Sequence, residues 1–188
     1  MDIKIYPDPV LLKNCESVEK VDDNFISTVS MMVDTMRAAE GIGLAAPQVG
    51  ILQRFFVCLD FDDENKEKTI VLINPEITKM EGRIESKEGC LSIPGFYEYV
   101  YRYEKIEIKA YDLSGKEVIY VPDGMQSVVF QHEFDHLDGI LFPERMSQIK
   151  KDIFVKDIRK NINLKMPVSA QLTSLVELLS PDLSLIHI

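Results

Sequence analysis

The sequence contains no tryptophan and only three histidines and three cysteines among its 188 residues. Cys15, Cys58 and Cys90 are odd in number and far apart, which argues against a disulfide framework and predicts a reducing compartment. No apolar run is long enough to cross a membrane, and the N-terminus lacks the features of a signal or transit peptide. We therefore expect a cytoplasmic protein with no membrane segment.

Positive charge is also scarce. Lysine and arginine total 21 against 31 aspartates and glutamates, so the formal net charge is -10. A chain this acidic repels phosphates, and we expect no specific nucleic-acid site and no nonspecific binding by the whole molecule. Residues 145–165 depart from this balance, because their basic side chains outnumber Asp152 and Asp157. The basic residues are Arg145, Lys150, Lys151, Lys156, Arg159, Lys160 and Lys165.

The length and a hydrophobic content of 46% indicate one globular domain with a substantial core. Apolar residues at helical spacing predict helices at 25–39 and 146–163, and 40–50 is predicted to be a loop. Strands are expected at 55–59, 69–73, 77–85, 99–102, 106–111 and 118–121. This order predicts an α+β fold, with mostly antiparallel β-sheets around a central helix and a C-terminal helix.

The central helix carries the motif His-Glu-x-x-His at 132–136. Two histidines four residues apart lie on the same face of a helix, where neutral imidazoles can hold one metal ion. The glutamate between them can act as a base toward a water on that metal. The same pattern also suits a polar helix face or two hydrogen-bonded core histidines, so the motif alone leaves these alternatives open.

The surrounding sequence favours inward-facing histidines. Asp123 and Gly124 predict the start of the helix, with Asp123 as N-cap, and Gly139 predicts its end. Between them runs an apolar stripe at spacings of three and four: Met125, Val128, Val129, His132 and His136. A buried imidazole without a partner costs free energy, and a metal ion would satisfy both rings.

A catalytic zinc-type site takes three protein ligands and keeps one position open. Gly139 fits the extended pattern HExxHxxGxxH, but Phe142 stands where the last histidine would be, and the next histidine is His187. The third ligand must therefore be a carboxylate or a cysteine. Cys90 stands out because its glycine and proline neighbours predict an exposed turn, although a lone cysteine is commonly a small buried apolar residue.

Three segments resemble the peptide deformylase family: GIGLAAPQ at 41–48, EGCLS at 88–92 and QHEFDHLDG at 131–139. They occur in the family's order, and the resemblance covers residues 5–165. It implies a catalytic domain at 1–165 with an α+β fold built around the HExxH helix. It also implies removal of the formyl group from N-formylmethionyl nascent peptides, with release of formate. The simplest setting for that reaction is a bacterial cytoplasm, where initiation is formylated.

The resemblance also implies the catalytic residues. Glu133 would be the general base and then the acid for the leaving amine, while the Gln48 side-chain amide and the Leu91 backbone N–H would stabilise the oxyanion. The metal is expected to be Fe(II) in the cell, with Zn(II) or Ni(II) as alternatives. Three residues would ligate it: Cys90, His132 and His136.

The substrate would lie along a glycine-rich surface. The glycines would let an extended peptide add as a strand, although they also suit plain turns: Gly41, Gly43 and Gly89. Candidates for the methionine pocket, which also suit plain core, are Ile42, Val128, Val129 and His132. Tyr97 lies where family members contact the peptide beyond methionine.

Three further expectations concern the surroundings of the site and the end of the chain. Asp135 and Arg102 are predicted to form an ion pair that supports the imidazoles. The basic segment 145–165 resembles a terminal helix that docks on the ribosome, although it also suits a solvated helix face. Residues 166–188 have no place in the family pattern, and the last six resemble a translated sequencing adapter, so we expect a non-native tail.

Two rival functions remain compatible with the HExxH motif. An HExxH peptidase would take a histidine where Phe142 stands, and it would have no use for Cys90 or Gln48. A noncatalytic metal-binding module would close the metal's coordination with a fourth residue and would not need Glu133.

Overall fold

The computed structural model describes residues 1–61 and 67–165. Helix α1, Asp23–Ala38, begins where the sequence supplies a cap, since the Asp22 carboxylate accepts a hydrogen bond from the Phe25 N–H at 3.0 Å. Its buried side chains recur at spacings of three and four: Phe25, Val29, Met32 and Met36. The prediction of a helix at 25–39 is confirmed.

Two antiparallel sheets make up the β structure. The larger has five strands in the order β1-β2-β3-β6-β7, and the smaller is the hairpin β4–β5. The strands of the larger sheet are β1 Gly43–Ala45, β2 Phe55–Phe61, β3 Glu67–Glu81, β6 Lys105–Tyr111 and β7 Glu117–Tyr120. Those of the hairpin are β4 Ile84–Cys90 and β5 Ile93–Arg102. The predicted α+β class with antiparallel sheets is confirmed.

Strand β2 is buried on both faces and separates two core clusters. Phe55 and Val57 join the cluster that contains the α1 side chains, whereas Phe56 and Cys58 join the cluster on the opposite face. This alternation follows from the two-residue period of a strand. It explains why the segment appears in the sequence as an unbroken apolar run.

Helix α2, Gly124–Leu137, lies on that opposite face and carries the HExxH motif. Its buried positions extend beyond the predicted stripe and include polar residues: Ser127, Gln131, Glu133 and Asp135. The prediction for Met125 is wrong, because this side chain in the first turn is 62% exposed. Asp123 occupies the N-cap position, but its side chain makes no capping hydrogen bond.

Strand β3 is one long strand where two were predicted, at 69–73 and 77–85. Its register against β6 shifts between Ile73 and Glu76, and Asn74 has a φ of 50°. Asparagine and proline favour turns, but a bulge accommodates both without ending the strand. Strand β1 falls within the predicted loop 40–50, where only its pairing with β2 identifies it as a strand.

The hairpin β4–β5 corrects the prediction of an exposed turn around Cys90. This residue is the last of β4 and is half-buried, and only Leu91 and Ser92 form the turn. Pro94 and Gly95 lie within β5, where Gly95 has a φ of 78°. The glycine takes a left-handed backbone conformation that other residues disfavour, so the strand continues through it.

The chain divides into two units, Met1–Arg145 and Met146–Ile188. The first contains β1–β7, α1, α2 and three short 3₁₀ helices at Pro9–Leu12, Ala46–Val49 and Phe142–Arg145. In the second, α3 spans Gln148–Lys165, close to the predicted helix at 146–163. The tail predicted at 166–188 lies outside the described residues. Within the described residues, no helix has the length and apolar character needed to cross a membrane.

Candidate metal centre

Three side chains converge where the end of β4 meets α2. The ligand atoms of Cys90, His132 and His136 all lie within 4.8 Å of one another. Cys90 is the last residue of β4, and the two histidines come from successive turns of α2. The Cys90 Sγ lies 3.4 Å from His136 Nε2, although the two residues are 46 positions apart in the chain. The structure thus brings together the three predicted ligands from two separate elements.

The spacing of Cys90 and His136 fits a tetrahedral metal ion. Bonds of about 2.3 Å to sulfur and about 2.0 Å to nitrogen at tetrahedral angles place the two donors about 3.5 Å apart. The observed 3.4 Å between Cys90 and His136 is close to that separation. Burial, together with the charge of His132, holds the pKa of His136 well below its usual range. Its imidazole is therefore neutral, as a metal ligand must be.

His132 is oriented by Glu88, a residue to which the sequence analysis gave no role. The Glu88 Oε2 lies 2.8 Å from His132 Nδ1, which leaves Nε2 for the metal side. Burial alone would lower the pKa of His132, but the Cys90 and Glu88 acceptors outweigh it and raise the pKa well above its usual range. These acceptors favour positive charge at the position where a metal ion would supply it.

Behind Glu88 runs a series of ion pairs that we call the charge chain: Glu88, Arg102, Asp135 and Arg145. Arg102 donates to both Glu88 oxygens, at 2.7 and 2.9 Å, and to Asp135 Oδ2 at 2.5 Å. Arg145 donates to Asp135 at 3.0 and 2.5 Å. Burial opposes ionisation of Glu88, but hydrogen bonds from Arg102 and His132 outweigh it and lower the pKa to about 2. The predicted Arg102–Asp135 ion pair is confirmed.

Glu88 could have been found from the sequence, because it lies two residues before Cys90 and residues two apart share a face of a strand. Arg145 gave no comparable signal. Its contact with Asp135, ten residues earlier, depends on the turn at Gly139 and the short helix Phe142–Arg145. Only the folded chain shows that Arg145 supports the same network.

Glu133 packs directly against the backbone of Gly43. A Cβ at Gly43 would lie 2.3 Å from Glu133 Oε1 and 2.8 Å from its carboxyl carbon. Glycine is therefore required at this position to make room for the carboxylate. Glu133 is buried, and its Oε2 has no hydrogen-bond partner among the described residues. Burial raises the pKa of Glu133 to about 7, so the carboxyl can both accept and return a proton near neutral pH.

Gln48 is fully enclosed and held in one orientation. Its Oε1 accepts a hydrogen bond from the Ala45 N–H at 2.8 Å. Its Nε2 donates to Ser92 Oγ at 3.2 Å and lies 3.5 Å from Cys90 Sγ. The amide N–H groups consequently point toward the metal ligands. Ser92, also buried, was not singled out from the sequence.

A single cleft of about 470 Å³ contains nearly all the predicted site residues. His136 is the one predicted residue that does not line it. The predicted residues that do line it are Gly41, Ile42, Gly43, Gln48, Gly89, Cys90, Leu91, Tyr97, Val128, Val129, His132 and Glu133. Val129 also belongs to the core cluster on the α2 face of the sheet, so this residue is part of the core as well as of the cleft lining.

Two glycines at the cleft are covered by side chains of the protein itself. A Cβ at Gly89 would lie 2.4 Å from the Tyr97 ring, and one at Gly41 would lie 2.7 Å from Leu91 Cδ1. Tyr97 pairs with Gly89 across the hairpin, and its exposed ring leans over β4 toward the cleft. The absence of a side chain at Gly89 therefore makes room for the Tyr97 ring.

Comparisons with known proteins identify the family of this chain. A family model described as polypeptide deformylase matches residues 1–152. The chain is 44% identical over 159 residues to the peptide deformylase of Thermodesulfovibrio yellowstonii, covering 85% of this chain and 96% of that protein. For the peptide deformylase of Alkalilimnicola ehrlichii the identity is 45% over 162 residues, covering 86% and 88%.

The solved structure of peptide deformylase from Thermus thermophilus superposes with a TM-score of 0.78 at 42% identity, covering 84% of this chain and 92% of that one. The chain belongs to the peptide deformylase family, metal-dependent hydrolases that remove the N-formyl group from nascent peptides.

Proposed function

We propose that this chain hydrolyses the formyl group of N-formylmethionyl peptides with a metal held by Cys90, His132 and His136. The observation that carries the proposal is the convergence of these three donors beside the cleft that Glu133 and Gln48 line. A bound divalent metal would supply a Lewis acid that polarises the formyl carbonyl and lowers the pKa of water. We propose Fe(II) as the metal in the cell, with Zn(II) or Ni(II) as alternatives that suit one sulfur and two nitrogens.

Glu133 is the general base in this proposal. Its carboxylate, wedged against Gly43, accepts a proton from the attacking water and then delivers that proton to the amine that leaves. Burial supports both proton uptake and proton release by Glu133. It raises the pKa of the carboxyl to about 7, so the group can exchange a proton near neutral pH.

Gln48 and Leu91 stabilise the oxyanion that forms on the formyl oxygen. The bond from Ala45 fixes the Gln48 amide before the reaction, so no reorientation is needed when charge develops. The support for Leu91 is that it follows the metal ligand Cys90 directly in the chain and lines the same cleft.

The methionine side chain enters beside Val128 and Val129, and the peptide backbone extends along β4. In the two-stranded sheet β4–β5, one edge of β4 pairs with no other strand of the described residues, and Gly89 and Ser86 on β4 line the cleft. A peptide can add there as a third strand through main-chain hydrogen bonds. Tyr97 then contacts a residue beyond methionine.

Formate release from formyl-Met-Ala-Ser tests the proposal, using protein purified anaerobically with Fe(II). We expect activity in the wild type and a loss of roughly 10²–10⁴-fold in Glu133→Gln with metal content unchanged. Glu85→Gln, an exposed glutamate on β4, is the matched control and should retain full activity. A metal-loaded wild type that releases no formate would contradict the proposal.

An HExxH peptidase is the alternative that the same experiment separates. Incubation of unformylated Met-Ala-Ser should yield no cleavage, because the cleft is proposed to act only on the formyl amide. Cleavage of that peptide at a rate comparable to formate release would favour a peptidase instead.

We also propose that α3 brings the enzyme to the ribosome, in the bacterial cytoplasm where formylated chains emerge. The support is charge, since residues 145–165 are basic in a chain of net charge -10. Charge reversal at Lys150, Lys151 and Lys156 should reduce co-sedimentation with ribosomes at low salt. Charge reversal at Lys4, Lys20 and Lys116, which lie outside α3, is the control because it changes the net charge by the same amount. An equal loss of ribosome binding in both variants would contradict docking through α3.

A further inference from the structure

A second cleft, of about 500 Å³, lies against the other side of α2. It is lined by residues at helical spacing, Gln131, Phe134, Asp135 and Asp138, whereas Val128, Val129 and His132 line the metal cleft. Among the described residues, none lines both clefts. We call the second one the back cleft and describe it by six of its residues: Met80, Arg83, Tyr101, Tyr103, Phe134 and Arg145.

The two aspartates that line the back cleft already have ionic partners. Asp135 is held between Arg102 and Arg145. Asp138 accepts from Arg54 Nη1 at 2.5 Å. Neither carboxylate therefore presents an unpaired negative charge, and an added anion would not meet repulsion from them.

The basic groups, in contrast, have bonding capacity left. Arg83 makes no ion pair with any described residue, and its guanidinium carbon lies 3.7 Å from the centre of the Tyr101 ring. Stacking uses the face of a guanidinium and leaves its N–H edge free to bind a carboxylate. Arg145 bonds Asp135 through Nε and Nη2, and its side chain is 43% exposed, so Nη1 remains available.

The remaining walls are apolar or aromatic. Met80 and Phe134 present apolar surface, and Tyr101 and Tyr103 present two rings. A small inorganic anion would leave these walls uncovered, whereas a flat apolar body would cover them and contact the tyrosine rings. We propose that the back cleft is a binding site for a small carboxylate with an aromatic body, whose carboxylate bonds Arg83 and Arg145.

Calorimetric titration of the metal-loaded protein with 2-naphthoate tests this site. The titration contains saturating Met-Ala-Ser, so that the metal cleft is occupied. We expect submillimolar binding that weakens at least about tenfold in Arg83→Gln, because one charge-assisted contact is lost. Arg37→Gln, an exposed arginine on α1, is the matched control and should bind as the wild type does.

Titrations with two further compounds test which chemical features of the ligand matter. 2-Naphthamide has the same ring without the charge, and inorganic phosphate has charge without the ring; both should bind at least about tenfold more weakly than 2-naphthoate. Met80→Trp should block the site while formate release stays unchanged. Equal binding of the amide or of phosphate, or binding that survives both Arg83→Gln and Met80→Trp, would overturn the proposal.

Discussion

At the scale of single residues, Gly43 is the residue whose substitution should be most informative about Glu133. A Cβ in Gly43→Ala would occupy space now filled by the Glu133 carboxylate. The backbone there belongs to a strand, so the glutamate has to move instead. We expect formate release to fall about 10²-fold, because small displacements of a catalytic group cost this much, while metal content is retained. Steady-state kinetics with metal analysis measures both quantities.

A double variant tests whether the effect of Gly43→Ala acts through Glu133. In Glu133→Ala the clashing carboxylate is gone, so adding Gly43→Ala should cost little further activity. Additive losses in the double variant would mean that Gly43 has a separate role.

Glu88 is the residue by which the protein orients His132. In Glu88→Gln the charge that favours a cation beside His132 is lost, and Arg102 loses an ionic partner. We expect metal affinity to fall about 10–100-fold, the usual effect of removing a partner behind a metal ligand. Chelator competition with folded protein, verified by circular dichroism, measures the affinity. Unchanged affinity would show that Arg102 and His132 hold their places without Glu88.

At the scale of elements, the bulge in β3 is fixed by Asn74. Its Oδ1 accepts from the Val18 N–H at 2.8 Å, and its Nδ2 donates to the Val18 carbonyl at 2.9 Å. Asn74→Ala would lose both bonds and place alanine at a φ of 50°. We expect a loss of about 2–3 kcal/mol in the free energy of unfolding.

Asn74→Gly separates the two contributions of Asn74. Glycine tolerates the positive φ but still lacks both hydrogen bonds, so its loss should be about 1 kcal/mol smaller than that of alanine. Urea denaturation midpoints compare the two variants. Equal midpoints would mean that backbone strain plays no part at this position.

At the scale of the whole molecule, the three cysteines should differ in reactivity. Burial raises the pKa of Cys15 to about 11 and that of Cys58 well above its usual range, so both thiols stay protonated at neutral pH. Cys90 lines the open metal cleft. In metal-free protein, iodoacetamide should alkylate Cys90 first, and bound metal should protect it. Peptide mass spectrometry measures the order, and labelling of Cys15 at the same rate would contradict it.

Metal removal should also lower the stability of the folded chain. A ligand at about 1,000 times its dissociation constant stabilises the native state by about 4 kcal/mol, which corresponds to roughly 10 °C in Tm for a protein of this size. The charge chain links β4, β5 and α2 at the metal centre. The loss of stability should therefore appear in the unfolding of Met1–Arg145. Calorimetry before and after chelation measures the change in Tm, and an unchanged Tm would mean that the metal does not bind the native state in preference to the unfolded chain.

The sequence by itself determined the chemistry of the site, because that chemistry depends on residue types at short spacings. Two histidines four apart share a helix face whatever the rest of the fold does, and the motifs around Cys90 and Gln48 are equally local. The α+β class followed from the order of helical and alternating patterns. The same local reasoning failed at β1 and at Asn74, because pairing with a neighbouring strand decides whether such residues extend or turn.

Tertiary structure alone decided which distant groups meet. Nothing in the sequence pairs Arg145 with Asp135, or places Gly43 under Glu133, because those contacts arise from packing between elements far apart in the chain. The burial of α2 on several faces was likewise invisible to a stripe pattern, since a polar residue in the core needs partners that only the folded chain supplies. The sequence determines which ionisable and ligating side chains are present. The fold determines how deeply each one is buried and which partners it meets, and these set its pKa and orientation.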